Sequence, residues 1–288
     1  MRDARTDDGL DEPKRRAPVY ALAIVRTTSV LVLIRGWAPF VALLVAYEAM
    51  RDLASVIGLA PHNLAPLDRT IFAGYEPTLV LQGIVDRLSD SDVVEDAASL
   101  VYAAHWILPA AVGAWFWIKD RNAFNRFGLR LVLLCALAFA TYVMAPTSPP
   151  WLAQPDAVRH VIEDAIVRSH LPASLLWLYM NHDYNLYAAF PSLHSGFPVV
   201  VAVSGWQRNR VAGLFLFAWA AVVWIAVVYL GEHYVTDVVG GILYAVAAIA
   251  IAAAISARWP KLGGPAGAPR IAPSPVRAGE TTRSRSWR

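Results

Sequence analysis

Two short stretches of the chain carry side chains whose types and spacing could do chemistry together. Residues 189–196 contain Ser192 and His194, and residues 229–237 contain His233 and Asp237. His233 and Asp237 are four residues apart, which would place them on one face of a helical turn. Asp237 could then accept a hydrogen bond from one nitrogen of the His233 imidazole and fix its tautomer. The other nitrogen would remain available as a nucleophile.

Each stretch is predicted to open a helix whose N-terminus faces the same compartment. Pro191 suits the first helical position, because its missing N–H would have no partner there anyway. The free N–H groups behind it, with the Ser192 hydroxyl, would form an anion site, although Ser192 could also serve as a helix cap. His194 supplies a second imidazole that could protonate a leaving oxygen. This combination favours phosphoryl transfer on a lipid phosphate.

The elements that must position these residues are predicted to be membrane helices. Of the 288 residues, 57% are hydrophobic and 16% are charged, against about 25% charged in a soluble domain. The single cysteine, Cys135, excludes a disulfide framework. A helix needs about 20 mostly apolar residues to cross a bilayer. Windows that approach this length lie at residues 36–55, 97–118, 131–145, 186–206, 211–231 and 238–257. The predicted fold is therefore all-α, a bundle of six transmembrane helices.

The distribution of basic residues predicts how this bundle is oriented. Lysine and arginine concentrate before the first predicted span and after the second, fourth and sixth. The positive-inside rule then puts both termini in the cytoplasm and both motif stretches at the extracytoplasmic face of the cell (inner or plasma) membrane. Residues 1–18 and 259–288 are predicted to be disordered cytoplasmic tails that flank a membrane domain at residues 19–258.

The two stretches together resemble a known family. Pro191-Ser192-Leu193-His194, followed by His233 and Asp237, is similar to the second and third motifs of the type 2 phosphatidic acid phosphatase (PAP2) superfamily. The resemblance extends over about residues 36–256 and implies a six-helix bundle without a metal or other cofactor. It also implies that His233 forms a phosphohistidine, that Asp237 supports it and that His194 protonates the leaving group.

Departures from the phosphatase pattern indicate a particular branch. Lipid phosphatases of the superfamily usually carry a lysine and an Arg-Pro pair in a first motif, whereas residues 144–151 here contain no cation. The Ser-Arg pair that usually begins their third motif is replaced by Ala226 and Val227. A phosphate monoester dianion would need those cations more than a diester monoanion would. The chain therefore resembles the inositol phosphorylceramide synthase branch, and Tyr187, Asn185 and residues 67–74 fit that branch.

Other ionisable residues could have either a functional or a purely structural role. Arg51 is a candidate for the missing phosphate cation, although it could simply pair with Glu48 three residues away. His105 lies in the middle of a predicted span, where it could bind substrate or remain a buried neutral histidine. Arg69 is a second candidate for the missing phosphate cation, although it could instead be a surface residue without a role in binding. Solvated positions in an outer loop are expected for His160, His170 and His182.

The predicted activity is a membrane phosphotransferase acting on a lipid-linked phosphate, of the inositolphosphotransferase type. If water rather than an alcohol accepts the phosphoryl group, the protein is instead a lipid phosphate phosphatase or pyrophosphatase. A proton-coupled transporter that uses the histidines is the alternative from another class. The predicted partners are a lipid phosphate or phospholipid substrate and membrane lipids, without nucleic acid or an obligate protein partner. His194, His233 and Asp237 match the ligand count of a zinc hydrolase, but the chain has no His-x-x-x-His pair and no metal is predicted.

Overall fold

A computed structural model describes residues 60–168 and 186–258, together with residues 34, 36–38, 41–42 and 45–46. Regular structure in these ranges is helical, and isolated β-bridges join Thr147 to His62 and to Ala188. The helices are α1 (Ala65–Ile71), α2 (Pro77–Val85), α3 (Ser91–Lys119), α4 (Arg121–Met144), α5 (Pro150–Ala153), α6 (Val161–Arg168), α7 (Leu193–Arg208), α8 (Arg210–Tyr229) and α9 (Val235–Arg258).

Single residues join two of the helix pairs. Asp120 lies between α3 and α4, and its side chain accepts hydrogen bonds from the N–H groups of Asn122 and Ala123. Asn209 lies between α7 and α8 and caps α8 in the same way. Asx residues are strong N-caps because their oxygen satisfies N–H groups that have no partner within the helix. Each joint therefore ends one helix and begins the next without an intervening loop.

These joints correct two predicted boundaries. The third span, predicted at residues 131–145, begins ten residues earlier, so Arg126 and Arg130 lie inside α4 rather than in a loop. The fourth span, predicted at residues 186–206, begins only at Leu193. Residues ahead of it are held instead by the bridge between Thr147 and Ala188. The apolar runs alone could not show either boundary, because capping rather than hydropathy sets it.

Helix α7 lies at the centre of the packing and contacts α3, α4, α8 and α9. It crosses α9 at close range, where Gly196 and Gly241 lie next to each other. A Cβ on Gly241 would collide with the Ser192 carbonyl oxygen and the Ser195 hydroxyl. Small residues of this kind let helix backbones approach closely in membrane proteins. The glycine crossing therefore brings the N-terminal ends of α7 and α9 together.

Three helices, α4, α8 and α9, are long and apolar enough to cross a membrane. Helix α3 is a fourth if its two halves, bent by 41° between Ala104 and Ile107, form one span. Pro109 lies inside α3, and a proline bends a helix because it cannot donate to the carbonyl four residues earlier. These helices identify a membrane protein. The predicted first span and both predicted tails lie largely or wholly outside the described residues, so six spans and cytoplasmic termini stay predictions.

Candidate active site

His194, His233 and Asp237 come together at one end of the bundle. Nδ1 of His194 lies 3.1 Å from Nε2 of His233. Nδ1 of His233 lies 3.5 Å from Oδ2 of Asp237. The His233 ring is thus placed between a carboxylate on one side and a second imidazole on the other. Asp237 is fully buried at 0% exposure, and His233 is buried as well.

The local structure around His233 differs from the predicted helical turn. His233 lies two residues before α9, and Asp237 is the third residue of that helix. Oδ2 of Asp237 accepts a hydrogen bond from the Tyr234 N–H at 2.8 Å, which is how the third helical residue reaches back in a capping box. The helix start, rather than a helical face, therefore brings the Asp237 carboxylate to His233.

The turn ahead of His233 is fixed by the end of α8. Gly231 has φ of +80°, a value that L-residues with side chains rarely adopt. Its N–H donates to the Val228 carbonyl, and the Glu232 N–H donates to the Val227 carbonyl. This is the hydrogen-bond pattern of a Schellman motif. It ends α8 and turns the chain directly toward His233.

Asp68 is a buried carboxylate at the start of α9 to which sequence reasoning gave no role. Its Oδ2 accepts from the Val235 N–H at 2.9 Å, and its Oδ1 accepts from the Thr236 N–H at 3.0 Å and from the Thr236 hydroxyl. A carboxylate is favourable at a helix N-terminus, where the N–H groups and the helix dipole are positive. Asp68 therefore anchors the helix start that carries Asp237. No pattern in the sequence pairs it with residues so distant in the chain.

At the start of α7, the predicted position of Pro191 is wrong. The N-cap is Ser192, and Leu193 is the first helical residue, so Pro191 precedes the cap. The Ser192 hydroxyl accepts a hydrogen bond from the Ser195 N–H at 3.3 Å. Ser192 therefore caps the helix, which was the alternative role predicted for it. Anion binding by the same residue stays a prediction.

Backbone contacts tie this helix start to its neighbours. The Ser192 N–H donates to the Asp237 carbonyl at 3.0 Å. The Ser195 hydroxyl donates to the Val238 carbonyl at 3.1 Å, and the Tyr142 hydroxyl donates to the Pro191 carbonyl at 2.6 Å. These hydrogen bonds to backbone carbonyls hold the two motif stretches in a fixed register, independently of the contact between the two histidines.

Tyr102 of α3 stacks on His194, with ring centroids 4.2 Å apart and planes inclined by 23°. This contact packs against one face of the imidazole, whereas the hydrogen bonds of the ring nitrogens lie in the plane of the ring. The sequence places Tyr102 in an apolar helix near His105, and only the crossing of α3 and α7 shows its role. The side chain of His105 lies outside the described residues.

The loop that replaces the phosphatase first motif is part of the same framework. The Thr147 N–H donates to the Tyr187 carbonyl at 3.1 Å, and the Trp151 N–H donates to the Gly231 carbonyl at 3.1 Å. The Thr147 hydroxyl accepts from the Phe190 N–H at 2.6 Å. The loop thus links both motif stretches through its backbone. Tyr187 lies in this network, whereas Asn185 and Arg51 lie outside the described residues.

Arg69 is engaged by protein groups near the site. Its Nη2 lies 2.9 Å from Oε2 of Glu76 and 3.0 Å from Oε1 of Gln154. Half of its side chain is exposed, at 50%. The Gln154 amide also lies 3.5 Å from the Tyr234 hydroxyl. Arg69 is therefore a half-exposed residue in a polar cluster next to the start of α9, and binding of phosphate by it stays a prediction.

His160 is not in the solvated position that was predicted for it. Its side chain is 11% exposed, with Nδ1 3.1 Å from Glu163 and Nε2 3.0 Å from Glu232. Trp151 stacks on its ring at 4.2 Å. Burial lowers its pKa, but hydrogen bonds and charges from Glu232 and Glu163 outweigh burial and raise it above its ordinary value. His170 and His182 lie outside the described residues.

A metal ion would need several donor side chains close together in the described ranges. Among them, no group of three or more His, Cys, Asp or Glu residues has an arrangement that could hold a metal ion. The His194–His233–Asp237 arrangement instead forms a chain, in which each nitrogen of His233 faces a different partner. Such an arrangement can orient and activate an imidazole as a nucleophile.

A helical membrane framework that carries His194, His233 and Asp237 in a row is typical of a class of phosphate-transferring proteins. Comparison with known proteins agrees with this class. The PAP2 superfamily matches residues 62–251, which is more than half of the chain. The protein therefore belongs to the PAP2 superfamily, as the motifs predicted.

One curated relative indicates a branch within the superfamily. The chain is similar to the phosphoinositol dihydroceramide synthase of Bacteroides thetaiotaomicron, with 27% identity over 165 residues. The similarity covers 52% of this chain and 52% of that synthase, so the chain spans about half the length of this relative. The synthase agrees with the predicted likeness to the inositol phosphorylceramide synthase branch. No solved structure matches the chain significantly.

Proposed function

We propose that this protein is a membrane phosphotransferase that moves a phosphate-linked headgroup from one lipid to another through a phosphohistidine on His233. The observation that carries the proposal is the 3.1 Å separation between Nδ1 of His194 and Nε2 of His233. Two imidazoles this close can both touch the atoms around one phosphorus, and the Asp237 carboxylate is placed behind the nucleophile.

In the first half of the reaction, the Asp237 carboxylate accepts a hydrogen bond from the N–H at Nδ1 of His233, which leaves the lone pair of Nε2 directed away from the carboxylate. Nε2 attacks phosphorus, and the bond from phosphorus to the leaving oxygen breaks. Protonated His194 gives its proton to that oxygen, which departs as an alcohol. A positioned acid of this kind contributes about 10²- to 10⁴-fold to a rate.

In the second half, neutral His194 takes the proton from an acceptor alcohol. The alcohol oxygen attacks phosphorus, and the bond between phosphorus and Nε2 breaks. His233 returns to its starting form, and His194 is protonated again for the next cycle. The two halves balance without any further reactant.

Transfer to an alcohol is favoured over hydrolysis by two observations. The loop at residues 144–151 and positions Ala226 and Val227 lack the cations that a monoester phosphatase would use. The curated relative is a synthase by name. The charge pattern of the loops supports an extracytoplasmic site in the cell membrane. A lipid phosphate phosphatase or pyrophosphatase remains the outcome if water is the acceptor.

The test uses the full-length protein in detergent micelles with phosphorus-labelled phospholipids of several headgroups and dihydroceramide as acceptor. We expect a new labelled lipid, and alkali-stable label on the protein that is lost in His233→Ala. Release of soluble labelled phosphate ester without a new lipid would establish hydrolysis instead. Turnover without label on the protein, or with full activity in His233→Ala, would refute the phosphohistidine mechanism.

A further inference from the structure

A second cluster of charged side chains lies at the end of α7 remote from His194. It surrounds a pocket of about 80 Å³ between the start of α4 and the end of α7. The polar residues of the pocket are Asp120, Arg126, Arg130, Ser204, Gln207 and Arg208. Helix α7 has 16 residues, which at about 1.5 Å per residue separates the pocket from His194 by roughly 20 Å. It is therefore distinct from the candidate active site.

Arg130 is the unusual member of this cluster. It is only 7% exposed, and it donates to the Ser204 hydroxyl at 2.8 Å and to Oε1 of Gln207 at 2.9 Å. Both partners are neutral, and across the described ranges Arg130 forms no ion pair. A buried cation is costly unless a negative charge compensates it. The arrangement has hydrogen bonds for the guanidinium but no counter-charge.

The carboxylate of the pocket is already used by other groups. Oδ1 of Asp120 accepts from the N–H groups of Asn122 and Ala123, and Oδ2 lies 3.0 Å from Arg208. The Ala123 N–H and Arg208 lower the pKa of Asp120 despite its partial desolvation, so the carboxylate stays ionised. Three arginines against one aspartate leave the pocket a net charge of +2. The exposed Arg126 forms no hydrogen bond or ion pair with any described residue.

Aromatic side chains place this end of the bundle at a membrane surface. Trp115 and Trp206 are exposed at 44% and 41%. Arg208 lies 5.9 Å from the ring of Trp115, and Arg210 lies 5.7 Å from that of Trp206. Exposed tryptophans beside arginines are typical of the headgroup level of a bilayer. The pocket would therefore meet lipid phosphates rather than acyl chains.

We propose that the pocket formed by Arg126, Arg130 and Arg208 binds a phosphate-bearing anion, the headgroup of an anionic phospholipid. Guanidinium groups suit phosphate because their planar N–H donors can contact two oxygens at once. Basic pockets between membrane helices bind anionic headgroups on this principle. The bound phosphate would supply the charge that Arg130 lacks, and it would tie α4 to α7. The proposal does not depend on the chemistry at His233.

The test measures lipid binding by purified full-length protein, with native mass spectrometry and thermal unfolding as readouts. The probes are dioleoylphosphatidylglycerol and, as the neutral comparison, dioleoylphosphatidylcholine. Arg126→Gln is the main variant, because its exposed side chain forms no hydrogen bond or ion pair with any described residue. Arg210→Gln is the matched control, because Arg210 lies at the same end but does not line the pocket.

We expect wild-type protein and Arg210→Gln to retain phosphatidylglycerol in preference to phosphatidylcholine. Arg126→Gln should bind phosphatidylglycerol about fivefold more weakly, from roughly 1 kcal/mol per arginine near a charged lipid surface. A further loss is expected for Arg130→Gln, and Arg126→Gln decides the outcome if that variant fails to fold. The absence of a phosphatidylglycerol preference, or equal losses in Arg126→Gln and Arg210→Gln, would overturn the proposal.

A third probe, glycerol 3-phosphate, distinguishes a lipid headgroup from a soluble phosphate ester. Stabilisation by phosphatidylglycerol but not by glycerol 3-phosphate, lost in Arg126→Gln, would identify the occupant as a lipid. Stabilisation by glycerol 3-phosphate alone, equally dependent on Arg126, would support a phosphate site for a soluble ester.

Discussion

At the scale of single residues, the carboxylate behind His233 can be tested apart from the histidine itself. Asp237→Asn keeps the size of the side chain and an oxygen that can accept from the Tyr234 N–H. It removes the negative charge that favours a proton on Nδ1 of His233. By analogy with other carboxylate–histidine pairs, we expect transfer activity to fall by about 10²- to 10⁴-fold. Unchanged helical content by circular dichroism would show that the loss is chemical, and full activity would show that Asp237 does not orient His233.

Asp68 is a positioning residue, because it acts on the site through the start of α9. In Asp68→Asn one side-chain oxygen is replaced by a donor, so one of the N–H groups of Val235 and Thr236 loses its acceptor. Loss of a cap costs about 0.5–2 kcal/mol, and activity should fall further because Asp237 shifts with the helix. The measurement is the thermal unfolding midpoint together with kcat and KM for transfer.

Asp90 offers the matched control for Asp68. It occupies the N-cap of α3, but its side chain accepts no capping hydrogen bond. Asp90→Asn should therefore leave both stability and activity close to those of the wild type. Equal effects of the two substitutions would mean that the capping hydrogen bonds of Asp68 do not stabilise the start of α9.

His160 predicts a pH-dependent contribution to stability. Its pKa is raised above the ordinary value of 6.5, so the folded protein holds this proton more tightly than the unfolded chain does. The stabilisation is therefore complete below about pH 6.5 and is lost as the pH rises through the higher folded-state pKa. The groups that face the ring, Glu163 and Glu232, favour its charged form.

His160→Gln keeps a polar side chain but cannot titrate in this range. We expect the difference in unfolding midpoint between wild type and His160→Gln to be larger at about pH 6 than at about pH 8.5. A difference that is constant between these two values would mean that His160 contributes packing on Trp151 rather than charge.

At the scale of elements, the crossing of α7 and α9 decides whether the two histidines meet. A side chain at position 241 would collide with the Ser192 carbonyl, which is backbone and cannot move alone. Gly241→Val should push the helix starts apart, with destabilisation of about 1–3 kcal/mol from overpacking. Transfer activity should fall more than the stability change explains, because His194 and Asp237 lie on opposite sides of this crossing. Thermal unfolding and the transfer assay together measure both effects.

Gly83 is the control for the glycine crossing. It lies in α2, and an added Cβ would meet no atom within 4 Å. Because glycine weakens a helix by roughly 1 kcal/mol relative to alanine, Gly83→Ala should be neutral or slightly stabilising, and Gly241→Ala should be destabilising. The prediction fails if both substitutions have the same effect.

At the scale of the whole molecule, the predicted orientation can be tested by chemical labelling. Ser89 and Asn122 are exposed residues near opposite ends of α3. Ser89→Cys should react with a membrane-impermeant thiol reagent on intact cells, and Asn122→Cys should react only after the membrane is opened. Cys135 is buried, so the natural cysteine should add little background. The reverse pattern would place the active site on the cytoplasmic side.

The sequence predicted which three side chains meet at the candidate site better than it predicted the residues that support them. His233 and Asp237 were recognisable because they are four residues apart, and His194 because it belongs to the short Pro191-Ser192-Leu193-His194 motif. The roles of Asp68 and Tyr102 were not predicted, because each acts across more than 90 residues of chain. The fit of residues 67–74 to the synthase branch did not indicate which residues Asp68 contacts. Only the folded arrangement shows that a carboxylate on α1 caps α9, or that a ring on α3 stacks on His194.

Helix positions were predicted where hydropathy decides them and missed where capping does. The windows for α8 and α9 agree with the structure to within about three residues at each end. The start of α4 was missed because Arg126 and Arg130 are charged, and charged residues favour a loop over a membrane span in a hydropathy profile. Arg130 lies inside the helix because Ser204 and Gln207 of α7 provide its hydrogen bonds, and hydropathy does not detect such a partner.

The one-residue joints at Asp120 and Asn209 have a consequence for how the specificity of the proposed transferase could change. Asp120 forms an ion pair with Arg208, the residue just before Asn209. Both joints therefore lie side by side, away from the histidines. In the described part of the chain, the longer connections at residues 145–168, 186–192 and 230–234 lie at the end of the bundle that carries His194 and His233. Exchanging residues 145–192 between relatives should therefore alter which headgroup is accepted while the tightly jointed end keeps the helices in register.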